Sequence, residues 1–296
     1  MGGRGFLLSW WNGDAMPFKN IPLEDLVEFA RQVRLDVLFQ THEAASGHVG
    51  GPLSATDFCT VLFKAVMNID PKNPKWDDRD IFIMSKGHCS ALLYSLLARI
   101  GVIPVDWLKT FRQTGSPLQG HPNMLKCPGV EVSTGSLGQG LSVGNGIAIA
   151  MRLNGQNNRR VYVVAGDGEL QEGQYWEAIM SAAHYCLDKV CLTVDLNGLQ
   201  IDGPTCEVMN LEPLADKFKA FNWNVIEING HRFKEIIEAY RRAIETDGKP
   251  TVILARTIKG KGVSFMENQV DWHGKPPNDA EYAQAVKDVN AMKYPW

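Results

Sequence analysis

The stretch VYVVAGDGELQEG, residues 161–173, constrains this chain more than any other. A short apolar run stops in Gly-Asp-Gly and passes at once into a helical pattern. That helix carries Trp176, Ile179, Met180, Ala183 and Leu187 at core spacing. A strand that is apolar on both sides must be covered on both faces. The same alternation recurs along the chain. DIFIMS (Asp80–Ser85) leads through SKGH into a helix with Leu92, Leu93, Leu96, Leu97 and Ile100. VCLTVD follows the Val161 unit, and NVIEI precedes a helix with Phe233, Ile236, Ile237, Tyr240 and Ile244. Gly248 and Pro250 stop that helix, and TVILART is the last strand. Apolar strands alternating with amphipathic helices predict an α/β fold: a mostly parallel sheet with helices on both faces.

Ahead of the first strand, Leu26, Phe29, Ala30, Val33, Val37 and Leu38 predict a helix from Pro22, and a second is expected over Ser54–Val66. Residues 115–140 read as loop. The segment GLSVGNGIAIAMRL is small-sided almost all round, which predicts a deeply buried helix. No repeat or linker divides the chain, so residues 22–296 are expected to form one domain. Residues 1–21 read as an N-terminal extension, because their apolar run is too short for a signal-peptide core. No run is long enough to cross a membrane. The net charge of −3 gives no reason to expect a nucleic-acid or anionic-membrane partner. The six cysteines form no C-x-x-C and no zinc-like spacing with histidine. They read as reduced thiols, which points to a cytoplasmic protein.

In open α/β sheets ligands gather at the carboxyl ends of strands. Asp167 stands at that end of one strand, and Asn197 at that end of the next, in DLNGLQIDG. Gly166 and Gly168 are expected to allow a tight turn and close backbone approach. A helix begins just beyond, and its N-terminus favours a phosphate. A carboxylate, an amide oxygen and nearby carbonyls are hard oxygen ligands, suited to Mg2+ or Ca2+ shared with a diphosphate. Gly-Asp-Gly alone is equally a plain β-turn, and Asn197 alone suits an Asx turn. The two together, at matching ends of consecutive strands, are far more specific.

Seven histidines occur. His48, His88, His121 and His273 lie in glycine- or proline-flanked loops: SGHVG, KGHC, GHP and WHGKP. Loops distant in sequence can converge at one sheet edge, and imidazole can donate or accept near neutral pH. His42, His184 and His231 lack that context. His184 falls within a helix and reads as structural, and His231 follows an Asn-Gly turn. Lys259 and Lys261, in TIKGKG, read as solvated, with contact to an anionic group as the alternative.

The ordered set SGHVGGP, DRDIFIMSKGHCSALLYSLL, QGHP, PGVEVSTGSLGQG, AGDGELQEG, DLNGLQIDG and VDWHGKP resembles the thiamine-diphosphate-binding half of transketolase, from about Pro22 onward. The resemblance implies that Asp167, Asn197 and the Leu199 carbonyl hold the metal. It implies that Gly168 and His88 touch the diphosphate, and that Gly135 and Leu137 meet the aminopyrimidine through backbone. Asn197 serves cofactor and metal together. Where the family has proline in GPLGQG, this chain has Ser136. His48 and His273 match acid/base histidines near the reacting carbonyl. His121 matches a group on the donor's ketol hydroxyl, and His88 serves diphosphate and substrate. Glu172 reads by itself as a first-turn glutamate complementing the helix dipole. In the family this position lies at the dimer interface and links two cofactor sites.

The family's second, pyrimidine-binding domain carries the glutamate for the aminopyrimidine and the arginines for sugar phosphate. It follows the region matched here. The expectation is therefore an N-terminal subunit of a split, thiamine-diphosphate-dependent transketolase. It would move a two-carbon ketol unit from a ketose or ketose phosphate to an aldose. A separate C-terminal subunit would complete the site, most simply in a two-plus-two heterotetramer. The competing readings are a subunit of another thiamine-diphosphate enzyme, such as a deoxyxylulose-phosphate synthase or a 2-oxo-acid dehydrogenase, and a non-catalytic scaffold of the same fold.

Overall fold

The computed structural model describes residues 18–294. The proposed extension lies outside the described residues up to position 17, and Phe18 and Ile21 already pack on the core. Helix α1 (Leu23–Glu43) starts after Pro22, with Glu24 and Asp25 in its first turn where the positive end of the helix favours them. It buries the expected stripe of Leu26, Ala30, Val33, Val37 and Leu38. Helix α2 (Gly50–Val61) begins earlier than the sequence suggests and runs into a wider turn at Leu62–Val66. Strand β1 (Ile81–Met84) leads to α3 (Ser90–Arg99). After the long irregular stretch come α4 (Gly140–Leu153), β2 (Val161–Gly166), α5 (Gly173–His184) and β3 (Val190–Leu196). A small hairpin of β4 (Leu199–Gln200) and β5 (Gly203–Pro204) precedes α6 (Thr205–Val208) and α7 (Leu214–Ala220). The chain continues with β6 (Asn224–Asn229), α8 (Phe233–Glu245), β7 (Thr251–Arg256) and α9 (Asp279–Ala291).

The five long strands form one sheet in the order β1-β2-β3-β7-β6, parallel throughout. Alternate side chains point to opposite faces. Phe82, Met84, Tyr162, Val164 and Ile253 join α1, α2, α3 and α8 in one core. Ile83, Val163, Leu192, Val194 and Leu254 join α4, α5 and α7 in the other. The near-continuous apolar runs in the sequence follow directly from this double cover.

Helix α4 departs from its reading. Leu141, Gly144, Asn145, Ala148 and Met151 are buried, while Leu153 is 82% exposed. The small residues serve one face only. A Cβ on Gly144 would stand 3.0 Å from Val163 Cγ2, so helix and sheet are in close approach there. Met180 on α5, expected in the core, is 56% exposed on the side away from the sheet, whereas Ile179 and Leu187 are buried as expected.

Candidate active site

The carboxyl ends of β2 and β3 lie side by side, with Gly166 in register with Asp195. Asp167 caps the short turn that follows β2. Its carboxylate accepts from Gly168 N at 2.8 Å and from Gly198 N, in the loop after β3, at 2.6 Å. The two strand tips are therefore joined through one side chain. Burial, then the neighbouring Asp195 charge, pushes the Asp167 carboxyl up to about 6. A carboxylate placed this way gains from a nearby cation. Neither Gly166 nor Gly168 takes a positive φ, so the turn itself does not demand glycine. What Gly166 leaves is space: a Cβ there would meet nothing nearer than Lys86 Cδ at 3.8 Å.

Asn197 sits between two fixed partners. Its Nδ2 donates to Asp195 Oδ2 at 3.1 Å, and its Oδ1 accepts from Leu199 N at 3.1 Å. Asp195 is fully buried, and receives the Lys86 ammonium at 2.5 Å, Ser54 Oγ at 2.5 Å and the Thr257 hydroxyl. Burial alone would raise its carboxyl, but the Lys86 charge overrides that and holds it below the ordinary value.

The four loop histidines converge. Ring centroids lie 5.1 Å apart for His48 and His88, 5.4 Å for His48 and His273, 5.0 Å for His88 and His273, and 6.4 Å for His48 and His121. They arrive from four places: the turn after α1, the turn after β1, the long irregular loop, and a short helical turn at Val270–His273. The turn before His48 requires glycine. Gly47 has φ +134°, and a Cβ on it would stand 2.9 Å from Thr41 Cγ2. Gly135, at φ +138°, packs against His121 so closely that a Cβ would lie 2.9 Å from the ring. Burial depresses all four imidazoles, with neighbouring positive charge adding to it: His48 to about 4, His273 to about 3, and His88 and His121 below their ordinary value. At neutral pH they are uncharged, able to donate at one nitrogen and accept at the other.

Lys259 overturns its sequence reading. It is 1% exposed rather than solvated. Its ammonium donates to the Leu199 carbonyl at 3.0 Å and to His273 Nδ1 at 2.8 Å. An ammonium cannot accept, so His273 carries its proton on Nε2. Burial lowers Lys259 to about 8, with the Asp167 charge working against that. Lys261 does lie nearer the surface, paired with Glu267 at 3.0 Å. Any strand-end loop was a candidate place for a site, and TIKGKG follows β7, so that rule could have singled out Lys259.

His231 is likewise more than a turn residue. It is buried, with Nδ1 at 2.8 Å from Asp57 and Nε2 accepting from Ile258 N, next to Lys259, at 2.9 Å. Glu169 is a further group that the sequence did not single out. It is buried, and accepts from Ser85 Oγ at 2.5 Å and from the backbone of Gly138 and Gly166 at 3.2 Å each. It thus joins the loop bearing Gly135 and Leu137 to the end of β2. Leu137 and Glu172 lie on the exposed side of that loop. A Cβ on Gly138 would stand 2.9 Å from Glu172 Cβ. Glu172 carries no hydrogen bond across its helix start.

The family model for the transketolase thiamine diphosphate binding domain matches residues 24–293. The chain belongs to the transketolase family. It is 40% identical over 271 residues to an apulose-4-phosphate transketolase subunit of Actinobacillus succinogenes, covering 91% of this chain and 98% of that one. It is 41% identical to the 6-deoxy-6-sulfo-D-fructose transketolase subunit SqwG of a Clostridium species, covering 90% of this chain and 96% of the relative. Among solved structures, the transketolase of Campylobacter jejuni superposes with a TM-score of 0.86 at 35% identity, over 91% of this chain. The present chain spans only 43% of that protein, whereas it spans nearly the whole of the two relatives named as subunits. Transketolase membership accounts for the parallel sheet and the thiamine diphosphate binding type of domain.

Proposed function

We propose that residues 22–296 supply the diphosphate-binding half of a two-subunit transketolase, which transfers a two-carbon ketol unit between sugars. One observation carries this reading. The Lys259 ammonium reaches both His273 and the Leu199 carbonyl, so the histidine cluster and the oxygen donors at the strand tips belong to one site. The donors fit a hard divalent cation, Mg2+ or Ca2+: the Asp167 carboxylate, Asn197 Oδ1 and the Leu199 carbonyl. Among the described residues no three His, Cys, Asp or Glu side chains are grouped to hold a metal by themselves. The ion would therefore take its remaining oxygens from a diphosphate and water.

Thiamine diphosphate, when bound, supplies the nucleophilic carbon and the electron sink for carbon–carbon cleavage. The protein groups position and move protons. Gly168 and His88 would face the diphosphate, with Lys259 beside them, and the backbone of Gly135 and Leu137 the aminopyrimidine. His48 and His273, uncharged at neutral pH, can take or give a proton at the sugar oxygens. His121 would hold the donor's ketol hydroxyl, and Glu172, exposed beside Leu137, would meet the partner.

That partner would be a pyrimidine-binding C-terminal subunit in a two-plus-two heterotetramer. The apulose-4-phosphate relatives are themselves named as subunits of a transketolase, which supports a partner. So do the apolar side chains exposed on α4 and α5, Val143, Leu153 and Met180. Sugars or sugar phosphates are the proposed substrates and the cytoplasm the proposed compartment. No described helix is long and apolar enough to cross a membrane. The test is ketol transfer on a ketose panel by the chain co-purified with its partner. Transfer by the pair, and none by this chain alone, is expected. Carbon dioxide release from pyruvate would favour the deoxyxylulose-phosphate synthase type instead. Absence of metal-dependent thiamine diphosphate binding by the pair would leave a scaffold.

A further inference from the structure

At the rim of the histidine cluster stands a cation that no carboxylate answers. Among the described residues Arg34, Arg79 and Arg99 each rest on an acidic side chain, but Arg112 does not. Its backbone has φ +59°, a region that non-glycine residues seldom enter. Its Nη1 donates to Ser46 Oγ at 2.9 Å, two residues before His48. Its guanidinium packs closely against Gly120, the residue before His121. A Cβ on Gly120 would stand 2.9 Å from Nε, 3.0 Å from Cζ and 3.2 Å from Nη2. Nε is buried without a hydrogen-bond partner. A half-buried guanidinium without an acidic partner, on a residue with left-handed backbone, is retained against several unfavourable terms. What it gains is a position between two histidine loops.

We propose that Arg112 is a positioning residue: it ties the loop carrying His48 to the loop carrying His121 and keeps a fixed positive charge beside both imidazoles. This rests on the ketol-transfer reading above. His48 is also faced by His88, His121 and His273, and by Lys259, all uncharged but the last. Around His121 the neighbouring groups are His48 and Arg112. Arg112 is thus the fixed charge common to the two, and its field opposes protonation of both.

The experiment measures kcat/KM for ketol transfer against pH, at saturating cofactor, with the co-purified two-subunit enzyme. In Arg112→Gln the acid limb should move up by about half to one pH unit, with the loss of activity growing as pH falls. In Arg112→Lys, which keeps the charge, the limb should stay in place while kcat/KM falls by about threefold from the lost Ser46 bond. In Ser46→Ala the limb should likewise stay. An equal loss at every pH in Arg112→Gln, or wild-type behaviour in it, would overturn the proposal. If that variant does not assemble, a limb displaced in Arg112→Lys or Ser46→Ala would overturn it equally. A wild-type pair without any ketol transfer would instead refute the proposed function.

Discussion

The buried carboxylate of Asp195 accepts a hydrogen bond from the side-chain amide of Asn197, 3.1 Å away, and so turns the amide oxygen toward the strand tips. The amide is polar at both ends: the carboxylate selects its nitrogen, and the Leu199 N–H, 3.1 Å away, selects its oxygen. The Lys86 ammonium, 2.5 Å from the same oxygen, keeps Asp195 ionised inside the fold. Asp195→Asn should therefore act twice. It strands the Lys86 charge, at a cost of about 3 kcal/mol in stability, and it leaves only the Leu199 N–H to orient Asn197. Asn197→Ala should weaken metal-dependent cofactor binding without that stability loss. Thermal unfolding and titration calorimetry of the two variants check this. Equal melting points would count against the Asp195–Lys86 pair as a structural element.

Asp167 and His121 should fail differently. Asp167→Ala removes the carboxylate that joins the two strand tips, and metal-dependent cofactor retention should drop by a factor of ten or more, on the order of the loss of a charge-assisted contact. His121→Ala should raise KM for the donor ketose by about tenfold, the loss of a hydrogen bond to a substrate hydroxyl, and leave the cofactor in place. Cofactor content of the purified pair, set beside donor KM, separates the two. Loss of cofactor to the same degree in both would undo the division of roles.

Acid should destabilise the chain partly through its histidines. His48 is depressed from 6.5 to about 4 in the fold. Below its unfolded value the unfolded chain binds a proton that the folded one refuses. Stability from this group is thus complete above 6.5 and is lost as pH falls toward about 4. His48→Gln should flatten the melting temperature against pH across that window. The wild-type curve should be the steeper of the two, by differential scanning calorimetry.

Asp57 gathers Arg34 and His231 in the interior. Its carboxylate takes the Arg34 guanidinium at 2.7 Å and 2.9 Å, and His231 at 2.8 Å. Burial would raise it, yet those partners bring it down to about 2. Asp57→Asn leaves a buried guanidinium uncompensated, and should cost about 3 kcal/mol, read from chemical denaturation. His231→Phe should spare most of that stability and loosen Ile258 and Lys259, seen as faster amide exchange at Ile258. Unchanged exchange there would show that His231 does not hold the lysine loop.

What lies close together in sequence was readable there. The apolar runs fixed the strands, because a strand covered on both faces needs no polar alternation. The residues that end those runs named Asp167 and Asn197, and the ordered motifs named the four histidines. The contacts that tune them were not readable. Asp57 and His231 are 174 positions apart, and Ser85 and Glu169 are 84 apart.

The sequence by itself determined the strand-and-helix alternation, the two polar strand tips and the loops able to carry histidines, since each is a local pattern of side-chain type. Only the tertiary structure decided that Lys259 is buried between His273 and Leu199, that α4 and Met180 keep a face open, and that Arg112 stands between two histidine loops. Burial and charge pairing depend on what other segments deliver to a point in space, and no local pattern encodes that.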